Sequence, residues 1–200
     1  LTSVVAKEII QSGILPEGAL QLICGPARNL IDHVDERDVV TFTGSATTGL
    51  KLRSHPNLIA HAVPFNMEAD SLNSAVLGEH VVPGDPEFEL FIQEVRKEMT
   101  VKSGQKCTAV RRVFVPSGQM DNVQEALTQA LSKAVMGDPQ EEGVRMGALV
   151  HKEQKQDVLA KLDVLKSEAK SVYVHPLELV GNEAVEDAFL GPQLLRNDNP

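Results

Sequence analysis

Hydrophobic and polar residues alternate along residues 1–67 in the pattern of short helices interleaved with short strands. Val4, Val5 and Ile9 follow helical spacing and Gly13 comes soon after, so the pattern predicts a helix that ends near Gln11. Runs rich in β-branched residues and bounded by turn formers predict strands. The other elements predicted here are strands at 20–23, 38–42 and 60–65, and helices at 28–33 and 45–53.

A second set of elements is predicted from about residue 70 onward. It comprises strands at 74–77, 110–115 and 171–174, and helices at 86–100, 121–135 and 152–169. Because helices and strands alternate throughout, the sequence predicts an α/β fold with two domains, 1–67 and 68–200. Glu68 is therefore expected at a domain boundary, where clefts form.

The chain is acidic, with 200 residues, 42% hydrophobic content, a net charge of -9 and a pI near 5.1. Such a surface repels phosphate backbones and anionic lipid, so we expect neither nucleic acid nor membrane as a partner. No apolar run is long enough to span a bilayer, and the first residues lack the pattern of a secretion signal. The expected location is the cytoplasm.

Two cysteines, Cys24 and Cys107, are expected as reduced thiols in such a chain. Cys24 lies in the apolar run 19–25 and is predicted to belong to the core. The chain starts without methionine, inside a helix that has no capping signal ahead of it. We therefore expect a piece of a longer protein.

Cys107 is the candidate nucleophile, in the run Ser103-Gly104-Gln105-Lys106-Cys107-Thr108-Ala109. A thiol reacts as the thiolate, which requires exposure, positive charge or backbone donors, and a nearby base. A flexible Gly104 and a neighbouring Lys106 fit that requirement. A lone cysteine is also compatible with a small buried core residue, so other segments have to decide.

The segment Phe42-Thr43-Gly44-Ser45-Ala46-Thr47-Thr48-Gly49 follows a predicted strand and opens a predicted helix. Free backbone N–H groups and the helix dipole favour an anion there, and a phosphate group is the natural ligand. Gly44 would allow close approach, while Ser45 can cap the helix or donate its hydroxyl. The segment is not a P-loop, because Leu50 stands where that motif needs lysine. An ordinary capped helix is the alternative interpretation.

Glu68 directly follows the predicted strand at 60–65 and its short extension. A carboxylate beside a cleft can be desolvated, which makes it a candidate general base, with Asp70 as a competitor for the role.

Six histidines, at positions 33, 55, 61, 80, 151 and 175, show no metal-ligand spacing, so no metal is predicted.

Together these segments resemble the aldehyde dehydrogenase superfamily. The resemblance rests on the ordered set Phe42 to Gly49, Glu68, Gly104 to Ala109, and the turn Gly137-Asp138-Pro139 followed by a strand-like Gly147-Ala148-Leu149-Val150. The run Met67-Glu68-Ala69-Asp70-Ser71-Leu72-Asn73 departs from the usual glutamate-leucine-glycine-glycine. That departure resembles the dehydrogenase part of the bifunctional ring-opening proteins of bacterial phenylacetate degradation.

The resemblance implies part of a Rossmann-like cofactor domain and part of an α/β catalytic domain. It implies that Cys107 attacks an aldehyde, that hydride passes to NAD or NADP, and that Glu68 activates water to release a carboxylic acid. Gly44, Ser45, Thr48, Gly49 and Ala69 would contact the cofactor. The substrate would be a small-molecule aldehyde such as a CoA-linked semialdehyde, and the parent protein would be a homo-oligomer.

The family's oxyanion asparagine and ribose-binding lysine are expected ahead of Leu1, and its glutamate-phenylalanine clamp beyond Pro200. The isolated chain is therefore expected to lack useful activity. Two alternatives stay open: a CoA-acylating dehydrogenase, in which CoA replaces water, and a non-catalytic scaffold or binding domain that keeps the fold. The presence of Glu68 favours hydrolysis over acyl transfer to CoA.

Overall fold

Residues 2–25, 29–181 and 187–199 are described in this computed structural model. The chain divides into two compact units, Leu1–Asp70 and Ser71–Pro200. Helices and strands alternate in both, which confirms the predicted α/β class. Glu68 belongs to the first unit. The cofactor-binding role of 1–67 and the catalytic role of 68–200 stay predictions.

The first unit contains one parallel pair of strands and the helices that flank them. Its elements are α1 (Thr2–Gln11), a 3-10 helix (Leu30–His33), β1 (Val40–Gly44), α2 (Ala46–Arg53), α3 (Pro56–Ala60) and β2 (Phe65–Ala69). The register of β1 and β2 runs from Val40 beside Phe65 to Gly44 beside Ala69. The predicted helices at α1 and α2 are confirmed, and the predicted strand at 38–42 begins two residues later than expected.

The strand predicted at 60–65 was wrong in position, because residues 56–60 form helix α3 instead. Pro56 occupies the first helical turn, where its missing N–H is harmless. The His55 side chain accepts a hydrogen bond from the Asn57 N–H at 3.3 Å and caps the helix. Strand β2 therefore starts only at Phe65.

The strand predicted at 20–23 does not form, and Cys24 is exposed, so its assignment to the core was wrong. Ile23 in that run is 63% exposed. A strand needs hydrogen-bonding neighbours, and none of the described strands pairs with this run. Of the helix predicted at 28–33, the structure shows Leu30–His33 as one 3-10 turn, and Arg28 lies outside the described residues.

The second unit contains three two-stranded sheets among the described residues. Its elements are β3 (Asn73–Val76), α4 (Pro86–Thr100), a 3-10 helix (Val101–Gly104), β4 (Val110–Phe114), a 3-10 helix (Ser117–Gln119), α5 (Met120–Ser132), β5 (Met136–Gly137), α6 (Lys152–Lys166), β6 (Lys170–Val174), β7 (Leu179–Val180) and β8 (Gln193–Arg196). Strands β3 and β4 are parallel, as are β5 and β7, whereas β6 and β8 are antiparallel.

The strongly periodic elements of this unit are confirmed, and helix α4 has the predicted bounds. Helices α5 and α6 end three residues earlier than predicted. The short strands β5, β7 and β8 were missed, since two to four residues carry little periodicity. The strand-like segment at 147–150 is not a strand; side chains from the Cys107 loop hold it instead, as described below.

The main core lies where α4 and α5 pack against β3 and β4. Phe88, Ile92 and Val95 follow one another at helical spacing along α4 and are at most 6% exposed. They form one cluster with three further buried residues, Leu77, Val123 and Leu127. This cluster anchors the end of α4 and the strand β4, and the Cys107 loop runs between those two elements.

Among the described ranges, none of the helices combines the length and hydropathy that a membrane crossing requires.

Candidate active site

Cys107 is exposed on a tight turn between the 3-10 helix that follows α4 and the start of β4. The Ala109 N–H donates to the Lys106 carbonyl at 3.1 Å and closes the turn around the cysteine. The interpretation of Cys107 as a buried core residue is therefore excluded. An exposed thiol on a fixed turn has the access that a nucleophile needs.

Two polar side chains hold the backbone of the cysteine itself. The Ser71 hydroxyl and the Asn73 amide each donate to the Cys107 carbonyl at 2.6 Å. The Asn73 amide also donates to the Ala109 carbonyl at 3.3 Å. These bonds hold the peptide planes on the C-terminal side of the cysteine against Ser71 and the first residue of β3.

Sequence reasoning missed the positioning role of Ser71 and Asn73, although both stand in the run that departs from the family pattern. The sequence does show polar residues at the beginning of a predicted strand. Their role became visible only in the β3–β4 register, where Asn73 lies beside Val110, a residue far away in the chain.

The N-terminal side of the turn is held by a second set of side-chain bonds. The Ser103 hydroxyl donates to the Gly147 carbonyl at 2.7 Å. The Gln105 amide donates to the Ala148 carbonyl at 3.3 Å and accepts the Val150 N–H at 2.9 Å. Segment 147–150 is thus held by side chains of the Cys107 loop, and the Leu149 N–H also donates to the Ala188 carbonyl at 2.9 Å.

Three consecutive residues ahead of the turn, Lys102, Ser103 and Gly104, have left-handed backbone angles, with φ of 53°, 55° and 69°. Such values are unfavourable for residues other than glycine and occur where the surrounding structure enforces them. Gly104 is buried, and a Cβ there would lie 3.3 Å from the Met99 carbonyl. The Arg111 guanidinium donates to the Gly104 carbonyl at 2.7 Å. Gly104 is therefore held in place, contrary to the flexibility expected from the sequence.

The positive charge expected from Lys106 is directed elsewhere. Its Nζ lies 2.7 Å from Oε1 of Glu98, in the last turn of α4. A carboxylate at this distance offsets the charge that Lys106 presents to its surroundings. A contribution of Lys106 to the charge at the thiol stays a prediction.

Two cavities, of about 630 and 660 Å³, border the Cys107 loop on its Ser103 and Gln105 side. The smaller is open and lies beside segment 144–148, and the larger lies between β4 and α6. Cys107 is not among the described residues that line either cavity.

The predicted phosphate-binding residues gather within the first unit at the carboxyl ends of β1 and β2. Ser45 caps α2: its hydroxyl oxygen accepts the Thr48 N–H at 3.2 Å, and its hydroxyl donates to the Thr48 hydroxyl at 3.0 Å. Gly44 lies beside Ala69 in the parallel register, with both residues next to the start of α2. No acidic residue stands in the first turn of α2, so the turn suits an anion such as a phosphate.

Gly49 is buried, and its glycine identity follows from packing of α2 on the strands. A Cβ at this position would overlap the Met67 side chain and lie 3.2 Å from the Phe42 ring. A Cβ on Gly44 would lie 2.5 Å from the same ring. A side chain at either glycine would therefore require Phe42 or Met67 to move, independently of any ligand.

Glu68 lies within β2 and is exposed, which corrects its expected position beyond the end of a strand. Alternation along β2 leaves Phe65, Met67 and Ala69 half-buried, while Glu68 projects from the exposed face. Its Cα partner on β1 is Thr43. Asp70, the competing acid, follows the strand and has a left-handed φ of 45°.

No group of three His, Cys, Asp or Glu side chains in the described ranges could hold a metal ion.

The sequence profile of the aldehyde dehydrogenase family matches residues 1–200. The chain belongs to that family, as the resemblance predicted. The 3,4-dehydroadipyl-CoA semialdehyde dehydrogenase of Aromatoleum evansii is 46% identical over 193 residues, which span 96% of this chain and 38% of that protein. The alpha-ketoglutaric semialdehyde dehydrogenase of Bacillus subtilis is 30% identical over 93% of this chain and 37% of its own length.

Solved structures of other proteins share the fold. A betaine aldehyde dehydrogenase from Staphylococcus aureus, crystallised in complex with NAD+, superposes with a TM-score of 0.81 at 22% identity, over 98% of this chain and 38% of that one. A bifunctional proline utilization A protein gives a TM-score of 0.78 at 23% identity, over 96% of this chain and 19% of that one. The chain spans little more than a third of the length of the curated relatives it matches.

Proposed function

We propose that this chain carries the nucleophile and the general base of an aldehyde dehydrogenase that oxidises a CoA-linked semialdehyde to the carboxylic acid. The observation that carries the proposal is an exposed Cys107 on a turn held from both sides, in a chain of this family. The 46% identity to a CoA-semialdehyde dehydrogenase supports the substrate class. A role in aromatic catabolism of the phenylacetate type, a homo-oligomeric parent and a cytoplasmic location belong to the same proposal.

In this proposal the Cys107 thiolate adds to the aldehyde carbon, forming a C–S bond and placing the negative charge on the former carbonyl oxygen. The Cys107 backbone N–H is a donor for that oxygen. Because Ser71 and Asn73 hold the carbonyl of the same residue, the cysteine backbone does not have to reorganise when the charge develops.

Oxidation of the bound carbon leaves an acyl thioester on Cys107. Glu68 then removes a proton from water, whose oxygen attacks the thioester carbon, breaks the C–S bond and releases the carboxylic acid and the thiolate. Separating oxidation from hydrolysis by a covalent intermediate replaces one difficult step by two easier ones.

The family's cofactor, NAD or NADP, supplies the hydride acceptor for the oxidation. The first turn of α2 would hold its pyrophosphate through Ser45 and backbone N–H groups. Thr48 is exposed at that turn, and Gly44 and Ala69 flank it, so these residues would lie along the cofactor. Gly49 would contribute by setting how closely α2 approaches the strands.

The test compares Cys107→Ala and Glu68→Gln in the protein that contains this chain, with Asp70→Asn as the matched control. Cys107→Ala should abolish oxidation. Glu68→Gln should produce one equivalent of reduced cofactor per site and then stop, with the acyl adduct on Cys107 visible by intact-protein mass spectrometry. Asp70→Asn should turn over normally.

An unaltered steady-state rate in Glu68→Gln would remove Glu68 from the proposed role, and a stalled Asp70→Asn would transfer the role to Asp70. Product analysis decides the remaining alternative. A free acid supports hydrolysis, whereas a strict need for free CoA and a CoA ester product would make the protein an acylating dehydrogenase.

A further inference from the structure

The ion pair between Glu98 and Lys106 connects the residue next to the nucleophile with helix α4. Nζ of Lys106 and Oε1 of Glu98 are 2.7 Å apart, and the side chains of Lys106 and Glu98 are 22% and 19% exposed, respectively. Exposed pairs contribute little because water screens them, whereas a shielded pair is held firmly. Lys106 is therefore anchored to a helix whose own side chains Phe88, Ile92 and Val95 are part of the core.

The second oxygen of Glu98, Oε2, is buried and has no hydrogen-bond partner among the described residues. Within those residues, Lys106 is the one cation in an ion pair with this carboxylate. A buried carboxylate oxygen without a partner is unfavourable, so Glu98 depends on Lys106 to offset its charge, and Lys106 depends on Glu98 for its position.

The position of Lys106 explains what the pair achieves. Its carbonyl accepts the Ala109 N–H that closes the Cys107 turn, so anchoring Lys106 also fixes the turn. A lysine released from Glu98 would place a mobile positive charge beside the thiol, and such a charge favours the thiolate.

Other charged residues lie in the elements that flank the Cys107 turn. The cations include Arg111, which is bonded to the Gly104 carbonyl, and Lys102, in the preceding 3-10 helix. The acids of α4 other than Glu98 include Glu94, which pairs with Lys97.

We propose that Glu98 is a positioning residue for Cys107: through Lys106 it fixes the turn and withholds the lysine charge from the thiol. The inference rests on the proposed role of Cys107 as the nucleophile. It means that the free enzyme keeps its thiol less reactive than the sequence Lys-Cys alone would make it.

The test is the rate of alkylation of Cys107 by iodoacetamide as a function of pH, followed by peptide mass spectrometry in the protein that contains this chain. In Glu98→Gln the profile should move to lower pH, with alkylation at mildly acidic pH faster by roughly three- to tenfold. Lys106→Met and the double variant should show no such movement, because both lack the charge.

Glu94→Gln is the matched control, since its pair with Lys97 lies on the same helix, at 3.0 Å, with both side chains about half exposed. Its profile should coincide with that of the unmodified protein. A Glu98→Gln profile that coincides with the unmodified one, or an equal movement in Glu94→Gln, overturns the inference.

Two further variants keep the inference testable if Glu98→Gln does not fold. Lys106→Arg retains a cation and should preserve both the profile and the melting temperature, whereas Lys106→Met should melt lower because Glu98 loses its partner. Equal melting of Lys106→Met and the unmodified protein would contradict the anchoring role.

Failure of the proposed function looks different. If Cys107→Ala retains aldehyde oxidation in the protein that contains this chain, Cys107 is not the nucleophile. Loss of oxidation in Cys107→Ala together with an unmoved Glu98→Gln profile overturns only the role of Glu98.

Discussion

At the scale of single residues, the candidate nucleophile owes its geometry to neutral hydrogen bonds to its backbone. Ser71 and Asn73 meet on one carbonyl oxygen, that of Cys107, each at 2.6 Å. Neutral donors fix orientation without altering the charge around the thiol. In the inference above, the pair of Glu98 and Lys106 adds control of charge near the thiol to the hydrogen bonds that hold its backbone.

Asn73→Ala should lower kcat/KM for the aldehyde by about tenfold to 100-fold, because the turn loses its bonds to two carbonyls and small displacements of a reacting group are costly. Asn122→Ala is the control, since the Asn122 amide donates to the Gln119 side chain at 2.8 Å in an exposed position. Steady-state kinetics measure both. Equal kcat/KM in the two variants would contradict the positioning role of Asn73.

A second residue-scale prediction concerns Asp35 in the first unit. A side-chain hydrogen bond from Arg37, helped by the Arg37 backbone N–H, lowers the pKa of Asp35 from 3.8 to about 2. A lowered pKa in the folded chain means that the stabilisation is present above the unfolded value and disappears as the pH falls from about 4 to about 2. Arg37→Leu should raise the pKa of Asp35 toward 3.8 in a carboxyl NMR titration; an unmoved titration would contradict the contact.

At the scale of elements, the predicted cofactor turn depends on how closely α2 lies against β1 and β2. Gly49 permits that approach, because Met67 and Phe42 occupy the space that a side chain would need. The helix then begins immediately after β1, with Ser45 as its cap. The predicted cofactor turn and the tight contact of α2 with β1 and β2 are therefore one structural feature.

Gly49→Ala should destabilise the chain by about 1–3 kcal/mol, the usual effect of overpacking a filled site. Gly118→Ala is the matched control, because a Cβ there would have no heavy atom within 4 Å. Chemical denaturation followed by circular dichroism gives the free energy of unfolding for both. A Gly49→Ala variant as stable as Gly118→Ala would show that α2 has room to move.

At the scale of the whole molecule, burial is unevenly distributed. Helix α4 contributes Phe88, Ile92, Val95 and Thr100 to the buried interior, whereas helix α1 has no buried residue. Local opening requires little free energy where few apolar contacts hold a segment.

Amide hydrogen exchange of this chain should therefore be slow in α4 and α5 and fast in α1. Mass spectrometry of exchanged peptides measures the difference directly, and α6, which also lacks buried residues, should resemble α1. Uniform protection across these four helices would contradict the burial pattern.

Local chemistry in the sequence determined a good part of this protein. The apolar stripe and proline start of α4, the Ser45 cap of α2 and the ordered family motifs are short-range features, because a helix and its cap involve residues within one or two turns. These features were sufficient to identify the α/β class, the family, and Cys107 as the residue to test.

Tertiary structure decided the features that join distant parts of the chain. Ser71 and Asn73 reach Cys107 across 36 and 34 positions, and Gln105 reaches Val150 across 45. The run at 20–23 has strand composition but no described partner strand, and the ion pair of Lys106 with Glu98 of α4 could not be read from the sequence around Cys107. Composition states what a side chain can do, but the neighbour that it meets depends on which segments the fold brings together.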